Sequence, residues 1–308
     1  MTKKYVYGPV PSRRLGLSLG IDLTPHKVCD FDCVYCQCGK TTIKTLRRQP
    51  YIPGRTILRQ IRAAVRGPCR IDFLTFSGSG EPTLNSEIGD LITEIKKFTN
   101  LPVCVITNGS LFYKPEVRRA IQKADVVLPT LCAASQKTLD RVNRPHRTLK
   151  IGKIIRGLAA FRKEFTGQIW LEVMLVRGLN DSVCEIRKLK QAIRRIKPDK
   201  VQLNTVVRPP SAKFALPVPR AALLKIKKML GRNCEIVAAF DKKQPPAHFP
   251  DLKKDIIEIV RRRPETAAAI AHSLGAVRAR VNKVLSTLRK SRRIRIVRHR
   301  NRVYFKLV

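Results

Sequence analysis

Acidic residues are scarce in this chain. Asp and Glu number 22 against 63 Lys and Arg in 308 residues, a formal net charge of +41. A surface so basic repels itself unless something anionic sits on it. Nucleic acid is the leading partner, ahead of an anionic membrane surface or acidic substrates. No run approaches the ~18 apolar residues of a spanning helix, which excludes that form of membrane protein. No apolar stretch follows Lys3 and Lys4, so a secretory signal is not expected and the predicted location is cytoplasmic. Internal repeats and low-complexity tracts are lacking too. The nine cysteines are odd in number and cannot all pair within one chain. In a reducing compartment, metal or catalytic use is the expectation rather than a disulfide framework.

What is present is ample apolar content, 44%, and a length that suggests two domains at about 150 residues each. From Leu17 to about Phe240, short apolar runs alternate with amphipathic helical patterns. Strands are predicted at Leu17–Leu23, Ile71–Phe76, Val103–Thr107, Val126–Leu131, Ile169–Val176, Val201–Val206 and Glu235–Phe240. Helices are predicted at Arg55–Val65, Glu87–Lys97, Glu116–Lys123, Lys150–Phe165, Val183–Ile196 and Arg220–Leu230. The alternation predicts a parallel α/β domain over residues 1–243, either a barrel or an open sheet. Residues 244–250 hold three prolines and read as a linker. Residues 251–308 read as three helices and two short strands, a pattern resembling a winged helix-turn-helix domain. Residues 276–308 contain 12 Lys or Arg and no acid, which points this tail at nucleic acid; a solvated face is the alternative. The tail is expected to fold on its own.

Four cysteines fall within ten residues. Cys29-x3-Cys33-x2-Cys36 follows the first predicted strand, with Tyr35 before the third thiol and Cys38 just beyond. Three close thiolates can hold three corners of a cubane iron–sulfur cluster and leave one iron open. A zinc knuckle completed by Cys38 or His26 is an alternative. The second predicted strand ends in Ser77-Gly78-Ser79-Gly80-Glu81-Pro82, small residues that let backbone approach a ligand at the strand end where α/β proteins bind ligands.

Together these features resemble the radical S-adenosylmethionine (radical SAM) superfamily. The cysteine loop, Gly80-Glu81-Pro82, Thr107-Asn108-Gly109 and the Gly178-Leu179-Asn180-Asp181 turn carry the likeness, which covers Gly8 to Phe240. It implies a partial (β/α)6 TIM-like barrel with a [4Fe-4S] cluster at its mouth. It implies that Cys29, Cys33 and Cys36 bind three irons and S-adenosyl-L-methionine chelates the fourth. Ser79, Gly80 and Glu81 would hold the methionine end, mainly through backbone. Tyr35 would approach the adenine, Asn180 would border the adenosyl group and Asn108 would end a strand at the cofactor mouth. A one-electron donor such as flavodoxin or ferredoxin is implied as well. The opening Gly8–Gly16 segment and Leu203-Asn204-Thr205 look similar to prokaryotic iron–sulfur oxidoreductases distantly related to wybutosine-synthesising tRNA enzymes.

Two departures stand out. Ser79 replaces a glycine common in the family, and Cys132 stands where relatives commonly carry Asp, either as a core substitute or as a substrate-side thiol. Cys104, Cys184 and Cys234 read as small hydrophobes, Cys69 as a thiol near the surface, His146 as a loop residue, and Trp170 and Met174 as core or cavity wall. Arg13 and Arg14 either serve an anionic substrate or cap the barrel. The expected function is a radical SAM enzyme acting on RNA or another macromolecule. A radical SAM peptide- or protein-modifying enzyme and an iron–sulfur DNA-binding regulator are the alternatives.

Overall fold

A computed structural model describes residues 3–237 and 251–308. The linker expected at 244–250 and the last part of the strand expected to reach Phe240 lie outside the described residues.

The chain opens with an antiparallel hairpin, β1 (Val6–Ser12) and β2 (Gly16–Ile21). Gly16 adopts a positive φ of 65° at the turn, where a side chain would be strained and would strike Asp72. A short parallel pair follows in the cysteine loop, β3 (Val28–Cys29) and β4 (Ile43–Lys44). Then come α1 (Gly54–Val65), β5 (Phe73–Phe76), α2 (Ile88–Lys96), β6 (Val103–Thr107), α3 (Pro115–Ala120), β7 (Val126–Pro129), α4 (Gln136–Val142) and α5 (Ile151–Glu164). The alternation ends with β8 (Gln168–Leu175), α6 (Val183–Ile196), β9 (Lys200–Thr205), α7 (Arg220–Leu230) and β10 (Cys234–Ile236).

The main sheet has the order β1-β2-β5-β6-β7-β8-β9-β10. Every pair after the first hairpin is parallel. No hydrogen-bonded pairing joins β1 to β10 among the described residues, so the sheet is the open, partial barrel expected. Its strands read as continuous apolar runs because both faces are covered. Leu19, Ile21, Leu74, Phe76, Val103, Val105, Leu171 and Val173 are buried with the inward faces of the helices in one core.

Besides the two-residue strands β3 and β4, β1 and α4 escaped the sequence pattern. Strand β1 contains Pro9 and Pro11, and as the sheet's outer, antiparallel strand it tolerates residues that cannot donate to a ladder. Helix α4 is seven residues long and buries only Thr138, Leu139 and Val142, too few apolar positions to mark a stripe. Helix α6 shows why the longer predictions hold. The Ser182 hydroxyl caps the Glu185 amide, and Ile186, Leu189, Ile193 and Ile196 form one buried stripe.

The tail forms α8 (Leu252–Arg262), α9 (Ala267–Ser273), α10 (Arg278–Lys290) and the hairpin β11 (Ile294–His299) and β12 (Arg302–Leu307), the element order expected. Asp251 caps α8 and Thr266 caps α9 through their side-chain oxygens. Ile256, Val260, Ile270, Val281, Leu285, Leu288 and Ile294 make a core separate from that of the barrel.

The tail, expected to fold on its own, keeps that separate core and is also docked on the barrel. Val10 of β1 packs against its core. Glu265 accepts from Arg208 at 2.9 Å and lies 3.2 Å from Arg263. Arg262 stacks 3.7 Å over the Tyr7 ring and pairs with Asp22 at 3.3 Å, and the Tyr304 hydroxyl donates to the Val207 carbonyl. No helix among the described residues is long and apolar enough to cross a membrane.

Candidate active site

The loop between β2 and α1 carries the cysteine motif. Backbone bonds from Asp32 and Val34 to the carbonyls of Asn143 and Val142 hold it against the end of α4. The loop also accepts the Glu81 amide at the Val28 carbonyl and donates the Lys27 amide to the Ser79 carbonyl. The cysteine loop and the Ser79–Glu81 strip are therefore laced together. Gly80 is the tightest point: a Cβ there would stand 2.0 Å from the Val28 carbonyl oxygen.

Cys29 and Cys33 line a cavity of about 320 Å³ together with Tyr35, Gly80, Glu81 and Asn108. Cys36 lines an adjoining cavity of about 340 Å³, which shares Tyr35, Cys38, Ser77 and Gly78 with the first. The thiols differ electrostatically. A hydrogen bond from the Cys38 thiol, aided by the Lys27 ammonium 3.2 Å away, pulls Cys36 down to about 5 against the effect of burial. Burial pushes Cys29 and Cys33 well up, and the acids Asp30 and Glu81 add to this at Cys29. Those two thiols give up their protons only to a strong Lewis acid. Nothing among the described residues forms a tight three-ligand set for a single ion. The thiols instead border open space, which suits a cubane, whose corners hold their ligands further apart than one zinc would. The residues fit the cluster.

The remaining candidates divide between cavity wall and scaffold. Tyr35 lines both cavities, with its hydroxyl 2.9 Å from the Cys132 sulfur and accepting from Asn143 at 3.3 Å. Asn143 also donates to Cys33 at 3.3 Å. Ser79 is pinned by Asp22, which accepts from its hydroxyl at 2.7 Å. Glu81 is buried and accepts from the Thr83 and Thr107 hydroxyls and the Asn108 amide. Burial and neighbouring Asp30 raise it to about 7. Asn108 donates to Asp30 and lies 3.9 Å from the Cys29 sulfur. Asn180 clamps its own turn: it donates to the carbonyls of Cys132 and Met174 and accepts the Val176 amide. Its side chain is fully engaged and buried, and it lines neither cavity.

Cys132 is 2% exposed and serves as core and as the partner of Tyr35. Cys104 and Cys234 are buried as expected, but Cys184 is exposed on α6, because it falls off the stripe that Ile186 and Leu189 define. Cys69 is partly exposed. His146 bonds Thr148 in its loop, and Met174 lines the second cavity.

Lys27, Asp22, Asn143 and Arg262 were not singled out from sequence. Lys27 is buried with its ammonium on Cys36, and its signal was its place two residues before the first cysteine. Arg262 had none, since it lies more than 220 residues from the loop it covers: its carbonyl stands 3.5 Å from the Cys38 sulfur.

Residues 23–189 match the model of the radical SAM superfamily, which is more than half of the chain. The chain belongs to the radical SAM superfamily. Radical SAM proteins are enzymes that bind a [4Fe-4S] cluster and S-adenosylmethionine. A UPF0026 protein of Methanocaldococcus jannaschii is 36% identical over 233 residues, 74% of this chain and 72% of that one. A Brachyspira hyodysenteriae protein named GTPase Obg is 39% identical over 295 residues, 95% of this chain, but the chain spans only 43% of that protein's length. A probable dual-specificity RNA methyltransferase of a Thermotoga species is 22% identical over 67% of this radical SAM chain and 59% of its own. The fold matches a radical SAM methyltransferase from Sphaerobacter thermophilus with a TM-score of 0.57 at 18% identity, over 71% of this chain and 66% of that one.

Proposed function

We propose that this radical SAM enzyme acts on RNA, which it grips with the exposed basic face of its tail while the target group enters the barrel cavities. When bound, the cluster and S-adenosylmethionine would supply one-electron radical chemistry that removes a hydrogen atom from the substrate. Cys29, Cys33 and Cys36 would hold the cluster. Lys27 would offset its negative charge from below Cys36. Ser79, Gly80 and Glu81 form the strip for the methionine end, where the Asp22–Ser79 and Glu81–Thr107 bonds fix the backbone before any ligand arrives. Tyr35 would form wall for the adenosyl group, held by Cys132 and Asn143, with Asn108 and the Asn180 turn at the rim. Tail residues Ile259, Arg262 and Arg263 line the first cavity and would exclude water from it.

One observation carries the RNA assignment. Residues 276–308 hold 12 Lys or Arg and no acid, and all of these cations except Lys306 are exposed. Arg278, Arg280 and Lys283 lie on α10, and Arg298, Arg300 and Arg302 crowd the β11–β12 turn. The distant RNA methyltransferase relative supports the same substrate class. In the winged-helix manner, this helix and turn would meet phosphates. The test is a salt titration of the full chain against tRNA, duplex DNA and an acidic peptide. With about six phosphate contacts, log affinity for RNA falls against log salt with a slope near −4 to −5. Neutralising Arg298, Arg300 and Arg302 together flattens it by up to about three units. Preference for the peptide would overturn the assignment in favour of a peptide-modifying enzyme. Absence of 5′-deoxyadenosine release from the reduced, cluster-loaded protein would remove the enzyme reading altogether.

A further inference from the structure

We infer that the second cavity, beside Cys36, seats a phosphate group of the substrate, held by Arg13, Arg14, Arg208 and Arg263. The inference deepens the reading above and rests on it, since it takes the barrel interior to be where substrate reacts.

The four guanidiniums reach this cavity from three separate parts of the chain. Arg13 and Arg14 come from the β1–β2 turn, Arg208 from the segment after β9, and Arg263 from the end of α8. By sequence, Arg13 and Arg14 serve either an anion or a cap on the barrel. The structure places both on the wall of a 340 Å³ cavity, where they also bridge the open seam of the sheet. Arg14 crosses to Glu172 on β8. Arg13 donates to Asn204 on β9 and, at 2.7 Å, to the Val237 carbonyl. Glu172 is the lone carboxylate in the cavity lining among the described residues. It is held below the usual glutamate range: burial opposes ionisation, but Arg14, Asn204 and Arg13 outweigh it. Glu265, which Arg208 and Arg263 share, lies outside that lining.

The electrostatics of this wall favour an incoming anion. Burial, with Arg208 and Arg14 nearby, lowers Arg13 to about 9, and burial together with Arg208 lowers Arg263. Cations crowded out of water repel one another, and a bound oxyanion relieves that repulsion. The shape of the donor set selects among oxyanions. A carboxylate is planar and one guanidinium fork satisfies it. Guanidiniums converging from three directions suit a tetrahedral phosphate, a monoester dianion with three free oxygens more fully than a backbone diester with two free oxygens and a single charge. The same cavity is lined by Cys36 and Tyr35, so a molecule anchored at the arginines stays continuous with the cluster mouth. The phosphate can belong to an RNA backbone or to a small phosphorylated molecule, and the experiment separates these sources.

The test uses the full, cluster-loaded chain without oxygen. Affinities are measured for inorganic phosphate, the four nucleoside 5′-monophosphates, the parent nucleosides and an RNA pentanucleotide. The same samples are examined for perturbation of the reduced cluster's paramagnetic resonance spectrum by S-adenosylmethionine. Phosphate-bearing probes are expected to bind and the nucleosides to bind at least tenfold more weakly. Arg13→Gln should weaken the phosphate probes at least tenfold, with Arg13→Lys recovering part of that. Arg263→Gln serves as the second variant should Arg13→Gln not fold. Arg187→Gln, on the exposed face of α6, should leave the phosphate and mononucleotide affinities unchanged. Tighter binding of the pentanucleotide than of any mononucleotide assigns the phosphate to RNA, and the reverse assigns it to a small substrate. Nucleosides binding as well as their monophosphates, or both variants binding phosphate like the native chain, would overturn the inference while a cofactor-perturbed spectrum leaves the enzyme reading standing. A spectrum unmoved by S-adenosylmethionine would overturn both.

Discussion

The contact that seats the tail on the barrel should be sensitive to one atom's charge. Glu265 lies between Arg208 and Arg263, at 2.9 and 3.2 Å, and the Arg208 and Glu265 side chains are 8% and 5% exposed. Two such pairs, at about 4 kcal/mol each for an effective dielectric near 20, contribute roughly 8 kcal/mol. Desolvation of the carboxylate and repulsion between the guanidiniums cancel several kcal/mol of that. Glu265→Gln keeps the shape, removes the charge and leaves the buried Arg208 facing the partly exposed Arg263, so the expected loss is about 3 kcal/mol, the low end for breaking a buried pair. Glu94→Gln, which breaks the exposed pair with Lys97, is the control and should cost roughly 0.5 kcal/mol or less. Urea titration of the full chain, followed by circular dichroism, measures both. The pH dependence supplies a second reading. Burial would raise Glu265, but Arg208 and Arg263 outweigh it and hold the folded value below the ordinary 4.5. A lowered carboxylate contributes stability above its unfolded value and loses it as pH falls through the folded one. The gap between native and Glu265→Gln should therefore be full at pH 7 and narrow below about pH 4.5. A gap under about 1 kcal/mol at pH 7, or one that stays constant down to pH 3, would refute the reasoning.

Three further outcomes follow from the same structure. Ala at Cys29, Cys33 or Cys36 should abolish a reconstituted content of about four irons per chain, whereas Cys69→Ala and Cys234→Ala should leave it intact by iron and sulfide analysis. Gly80→Ala should also cost iron, not only S-adenosylmethionine binding, because its Cβ would strike the Val28 carbonyl that carries the cysteine loop; full iron content with lost cofactor binding would contradict this. Lys27→Met should allow the cluster to assemble but lower its midpoint potential by on the order of tens of millivolts, read by redox titration, since a buried cation beside a thiolate favours the more negative, reduced state.

The parallel α/β domain, most element positions within a few residues, and the superfamily were legible in the amino-acid order. Those properties are written locally. A buried parallel strand is an apolar run, a helix is a 3.6-residue stripe, and Cys29, Cys33 and Cys36 are neighbours whose spacing is their signal. The Ser77–Pro82 strip was legible for the same reason, because small residues at a strand end announce close backbone approach. The roles within that strip were not: that Gly80 wedges on Val28 and Glu81 ties β5 to β6 depends on atoms 26 to 52 residues apart. Tertiary structure alone decided that Arg13 and Arg14 face a cavity, because a turn's side chains can point either way until β8 and β9 are placed opposite them. It alone decided that the tail closes over the barrel. The contacts of Glu265 with Arg208 and of Arg262 with Asp22 join residues 57 and 240 positions apart. No periodicity records such a meeting, and a sequence with 63 basic residues offers each carboxylate too many partners for composition to choose one.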